Sequence, residues 1–190
     1  MNVIVVMVVL VVVGNAIATH ASTLKPTSQT TLSMASNIMD LLKGLFVSNS
    51  KENNNFKEDL AMSESSNRSD VINNEGFMGK YQFGDDRLTD YRNETGLEFN
   101  RDEFLNNESL QDQVFDWHVS DISKYIDNKD LNKYIGKTIN GIEITKQGLI
   151  AGAHLGGRYG MRQFLESNGK KDPADKNKTK ISDYIKKFST

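Results

Sequence analysis

Gly76-Phe77-Met78-Gly79-Lys80-Tyr81-Gln82-Phe83-Gly84 is the stretch that decides the fold class. Its glycines allow tight turns and let the backbone approach a ligand closely. From Ser66 to Gly84 the chain is rich in Asn, Gly and short polar residues, which predicts loops and a small irregular sheet rather than helix. Tyr81 and Phe83 offer flat apolar faces, and Gln82 offers both a hydrogen-bond donor and an acceptor. That mixture suits a sugar ring, with its apolar faces and polar edges. It equally suits a Gly-rich hairpin with buried aromatics.

Helical patterns lie on both sides. Upstream, Asn55 with Glu58 resembles a capping box, and Phe56, Leu60 and Ala61 form an apolar face running into Ser63-Glu64-Ser65. Before it, polar Ser48 to Asn55 reads as loop. Ile38, Leu41, Leu42 and Leu45 read as a short amphipathic helix, and Ser22 to Ser36 as a flexible segment. Downstream, Leu110, Val114, Trp117, Ile122 and Tyr125 predict a helix from Asn107 to about Ile126. Thr138-Ile139-Asn140-Gly141-Ile142-Glu143-Ile144 predicts a hairpin, since Asn-Gly fits a type I′ turn. Thr145 then caps a helix carrying Leu149, Ile150 and Ala153, which Gly156-Gly157 ends. Two shorter helices are expected around Met161 to Leu165 and Ile181 to Phe188. The predicted class is α+β, mainly α.

Val3 to Val13 is an unbroken apolar run followed by small residues, the pattern of a secretory signal cleaved after Ala18 or Ala21. It is shorter than the ~20 apolar residues of a membrane span. The n-region, Met1-Asn2, carries no Lys or Arg. The expected organisation is a leader at 1–21, a flexible segment with a short helix at 22–54, and one domain at 55–190. The expected location is secreted or periplasmic, with membrane contact only through an uncleaved leader. There is no cysteine, which excludes disulfides and thiolate zinc sites. A net charge of -2 provides no basic footprint for nucleic acid. Asn67, Asn93, Asn107 and Asn177 open Asn-x-Ser/Thr sequons, as expected by chance in an Asn-rich chain.

Glu64 follows Leu60 by four residues, so it projects near the buried face of its helix. Partial burial favours the protonated carboxyl that a general acid needs. Taken alone it is equally a solvated glutamate at a helix end. Its flanks carry a resemblance. Glu64-Ser65 followed by Gln82 resembles the Glu-Ser and Gly-x-x-Gln signature of soluble lytic transglycosylases. The 76–84 segment, Ala153-His154-Leu155-Gly156-Gly157 and the Asp-rich 172–188 tail are similar to phage-associated peptidoglycan-degrading domains. The resemblance runs from roughly Phe56 to Phe188.

It implies a lysozyme-like fold with a small hairpin or irregular sheet beside a catalytic cleft, and a monomer that needs no metal or cofactor. It implies Glu64 as the catalytic acid/base cutting peptidoglycan between MurNAc and GlcNAc, with 1,6-anhydro-MurNAc ends. Ser65, Met78, Tyr81, Gln82, Phe83, His154 and Tyr159 would line the glycan groove. His154 stands where the wider family has a tyrosine that contacts the glutamate. A neutral imidazole there can hydrogen-bond Glu64, whereas a cationic one favours the ionised carboxylate. The alternatives are a lysozyme-type hydrolase of peptidoglycan or chitin, with Asp70, Glu75, Asp85 or Asp86 as second carboxylate, and a non-catalytic glycan-binding protein. Asp172, Asp175, Asn177 and Thr179 space oxygens as a calcium loop does, but Lys186 takes the place of the closing Glu. Capping of the last helix is the expected role of that loop.

Overall fold

The computed structural model describes residues 28–189, without the side chains of 28–34 and 45–54. The expected leader and Ser22 to Thr27 therefore lie outside the described residues. The helices are α1 (Ser28–Ser65), α2 (Asp85–Thr95), α3 (Arg101–Leu105), α4 (Glu108–Asn128), α5 (Lys146–Glu166) and α6 (Ile181–Lys187). A 3-10 turn, Leu131–Tyr134, precedes the strands β1 (Thr138–Ile139) and β2 (Ile142–Glu143). The class is α+β, mainly α, as the sequence predicts. Among the described residues no helix is long and apolar enough to cross a membrane.

The chain divides between Glu52 and Asn53 into two units. In the first, Ile38 and Leu42 are half-buried while Met39 and Leu41 are exposed. The two helices expected near 38–45 and 55–65, with a loop at Ser48 to Asn55 between them, are one helix. Ser28 to Ser36 belongs to it as well. Ser48 to Asn55 holds no Gly or Pro, and Ser and Asn cost only tenths of a kcal/mol each in a helix interior. Asn55 and Glu58 accordingly lie inside the helix and do not start one.

In the second unit, Phe56, Leu60 and Ala61 of α1 are buried as expected. The helix ends where Ser66 and Asn67 turn to positive φ (58° and 60°), with Asn67 N–H donating to Ala61 O. This left-handed cap leaves Glu64 in the last turn. Helix α4 crosses the core on Leu110, Val114, Phe115, Ile122 and Ile126. Burial of each such side chain contributes about 1.5–3 kcal/mol. Asn107 caps α4 by accepting from Leu110 N–H, and Thr145 caps α5 by accepting from Gly148 N–H. β1 and β2 pair antiparallel through Asn140 (φ 50°) and Gly141 (φ 76°), the expected type I′ geometry.

Two features aim the site. The segment 72–83 folds back on itself through isolated bridges Ile72–Met78 and Met78–Phe83. Buried Gln111 secures it, its Oε1 accepting from Lys80 N–H at 2.8 Å while its Nε2 donates to Ser69 O and Phe104 O. A Cβ at Gly79 would lie 2.5 Å from that Oε1, so the turn requires glycine. The second feature is the close packing of α5 on α6. A Cβ at Gly152 would lie 2.8 Å from Ile185, so the glycine permits the short approach. Helix α5 breaks at Gly157 (φ 74°, ψ 159°), at the expected end.

Candidate active site

Glu64 lines a cavity of ≈420 Å³ with Asn73, Glu75, Phe77, Gln82, His154 and Tyr184 among its walls. A second cavity, ≈500 Å³, shares Glu75, Phe77, Gln82 and His154 and extends to Asp85, Asp86, Arg87 and Arg158. These common walls make a groove with Gln82 at its middle. Gln82 reaches that place in a left-handed turn (φ 49°), and its Nε2 donates to Gly79 O at 2.9 Å.

The Glu64 side chain is 14% exposed. Its Oε1 accepts from the Tyr184 hydroxyl at 2.6 Å, the length of a charge-assisted bond. The same oxygen lies 3.9 Å from His154 Nε2, too far for a hydrogen bond. Oε2 is thus the oxygen left for a ligand. Burial pushes the Tyr184 phenol above its ordinary value, and the Glu64 charge and hydrogen bond add to this. It therefore remains a donor throughout the neutral range.

His154 is buried on the opposite wall. Desolvation holds its imidazole below the ordinary value; Glu64 and the Tyr81 backbone oppose that, and Arg87 adds to it. Behind it lies His118, whose Nε2 is 3.2 Å from His154 Nδ1. Burial holds His118 well below its ordinary value, with the charges of His154, Arg87 and Arg158 contributing. Arg87 Nε donates to His118 Nδ1 at 2.8 Å, and Arg87 Nη2 donates to Asp121 at 2.6 Å.

Several residues expected in the groove are elsewhere. Ser65 is buried and bonds Lys80 O and Arg68 N–H, so it braces the turn. Met78 is fully buried, because it forms the centre of the two bridges. Tyr81 is stacked on Phe115 at 4.2 Å and donates to Asp112 at 2.7 Å, in the core behind the groove. Tyr159 is exposed and lies outside both cavities, since the break at Gly157 turns it to solvent. Phe83, by contrast, is 3% exposed but lines the second cavity, edge-on to both histidine rings. Gln82 and His154 are in the groove with Glu64, as expected.

Tyr184, His118 and Arg87 were not singled out in the sequence. Tyr184 supplies the tyrosine contact that the resemblance assigns to the position of His154. His118 was findable, four residues after Val114 and four before Ile122 on the buried face of α4. Of the four carboxylates expected as partners, Glu75 shares the Glu64 cavity, as Asp175 also does, and Lys176 pairs with Glu75 at 3.3 Å. Asp85 and Asp86 line the neighbouring cavity, and Asp70 lines neither. Asp172 accepts from Ser182 N–H and Oγ, capping α6 as expected, and Asp175 accepts from Thr179 N–H. Among the described residues no cluster of His, Asp or Glu is arranged to hold a metal ion.

No protein-family model matches the chain, no curated protein matches it and no solved structure matches it.

Proposed function

We propose that this protein is a secreted lytic transglycosylase of the lysozyme-like type, cutting the MurNAc–GlcNAc β-1,4 bond of peptidoglycan with Glu64. The observation that carries the reading is one nearly buried carboxylate that lines a cavity, with Tyr184 on Oε1 and no donor on Oε2 among the described residues. Protonated Glu64 gives its proton to the glycosidic oxygen as the C1–O bond breaks. The 2-acetamido oxygen of the same sugar attacks C1 and holds the positive charge. The ionised Glu64 then takes the proton of the muramyl 6-hydroxyl as that oxygen bonds C1 and the C1 bond to the acetamido oxygen breaks, closing the anhydro ring and restoring the acid. Tyr184 holds the carboxylate in place between the two steps, with the neutral His154 beside it, and Gln82 presents its amide to sugar hydroxyls and acetamido groups.

Glu75 favours a second reading, a lysozyme-type hydrolase. It lines the same cavity as Glu64, where a second carboxylate could activate water. Its pairing with Lys176 weighs against that role. Purified peptidoglycan incubated with the wild-type protein, Glu64→Gln and Glu75→Gln tests both. Release of soluble muropeptides lost with Glu64→Gln and retained with Glu75→Gln supports the single-acid route. Loss with both variants turns the assignment to the hydrolase. No release from the wild-type protein contradicts both.

A further inference from the structure

The two buried histidines form a line whose polarity is set from one end. Arg87 retains its proton at all ordinary pH, so its Nε can only donate, and His118 Nδ1 must be the bare acceptor. The single proton of a neutral His118 then sits on Nε2. It points at His154 Nδ1, 3.2 Å away, which must accept it. The proton of a neutral His154 is left on Nε2, the nitrogen that faces Glu64. We propose that Arg87 and His118 are positioning residues that lock His154 as the Nε2–H tautomer, a neutral donor beside the acid.

The lock also resists charging. A second proton on His154 would enter at Nδ1, against the Nε2–H of His118. A second proton on His118 would enter at Nδ1, against Arg87 Nε–H. Rotation of either ring is opposed by Phe83, which meets both edge-on at 5.2 and 5.7 Å. Arg87 itself is fixed by Asp121 and by stacking on Trp117, 4.0 Å from the ring centroid. Arg158 bonds the other side of Asp121 at 3.1 Å, and Asp90 approaches Arg87 at 3.4 Å. Glu64, with Tyr184 upon it, is the acidic group that faces His154 directly. The depressed imidazole values of both rings agree with this arrangement. The use of the lock is to deny Glu64 a cationic neighbour, which would favour its ionised form and hinder it as an acid. That use rests on Glu64 being the acid, but the tautomer does not.

The test is long-range ¹H–¹⁵N correlation of the full chain, titrated from about pH 8 to about pH 5, a range spanning the ordinary histidine value. Expected are bare Nδ1 and protonated Nε2 in both His118 and His154, with both rings titrating below the ordinary histidine value. His118→Gln should preserve the His154 tautomer, since its amide can accept from Arg87 and donate to His154. His118→Leu should mix the His154 tautomers, and Arg87→Met should mix those of His118, whose burial still keeps its titration depressed. An Nδ1–H tautomer at His154, a wild-type ring charging near 6.5, or a His118→Leu spectrum unchanged at His154 would overturn the proposal. The spectrum is that of the resting protein, so failure to cleave peptidoglycan would sink the reading of Glu64 and leave the lock standing.

Discussion

Two polar clusters flank the turn at 79–83, and they are opposites. On one side Lys80 pairs with Asp112, with Lys57 and Tyr81 beside them. Asp112 accepts from Tyr81 at 2.7 Å and Lys80 at 3.1 Å, and Lys57 donates to its backbone and to Asp116. The hydrogen bonds of Tyr81 and Lys80 hold Asp112 below the ordinary carboxylate range, although its burial works the other way. On the other side Glu64 lines a cavity, with Tyr184 on one oxygen and no donor on the other among the described residues. Both clusters contain a tyrosine bonded to a carboxylate. A cluster closed by an ion pair to lysine stabilises the fold, whereas a nearly buried carboxylate with no Lys or Arg partner among the described residues is equipped for chemistry.

The contrast breaks first at Glu64. Glu64→Gln should lower muropeptide release by about 10²–10⁴-fold, the worth of a general acid/base, with the thermal midpoint unchanged or raised. Tyr184→Phe should come next. Loss of one hydrogen bond to a charged group costs about 1.5–3 kcal/mol, or about 10–100-fold in rate, seen in kcat with little change in KM. Tyr81→Phe removes the matching bond of the closed cluster. It should lower stability in urea by about 1 kcal/mol while leaving the rate within about twofold. A rate loss in Tyr81→Phe as large as that in Tyr184→Phe would erase the distinction between the clusters.

A smaller effect concerns pH. His118 and His154 are held below their ordinary value in the folded chain. The unfolded chain therefore binds protons, below about pH 6.5, that the folded chain refuses. Their contribution to stability is complete above that value and is lost as pH falls toward the depressed folded values. Urea midpoints of His118→Gln should accordingly decline less steeply than wild type between about pH 6.5 and about pH 5. A steeper decline would contradict the sign. Tyr159→Ala, at an exposed position outside the groove, should change neither rate nor stability measurably.

The sequence was most legible where local chemistry settles local structure. Asn140-Gly141, Thr145 and the Gly156-Gly157 break stand where they were read, because turns and caps are decided within a few residues. Helix α2 was missed because it buries only Leu88 and Tyr91, too few for a period, and starts at Gly84 without a side-chain cap. Asn100 with Glu103 is a capping box that was there to be read and opens α3. At the site, Glu64, Gln82 and His154 share one cavity and Phe83 lines the next, but Tyr81 was assigned to the wrong side. Consecutive residues in a tight turn point in different directions. Tyr81 goes to the core, and Gln82, at positive φ, goes to the groove. Tyr184 lies 120 residues from Glu64 in sequence, and the two meet where the end of α6 packs on α1 through Phe188 on Phe56 and Lys187 on Ser63.

The most direct test of the account is the mass of the soluble products released from purified peptidoglycan by the full chain, with Glu64→Gln in parallel. The account predicts muropeptides ending in 1,6-anhydro-MurNAc, one water lighter than reducing ends, and none from the variant. Reducing ends alone, or anhydro products undiminished in Glu64→Gln, would contradict it.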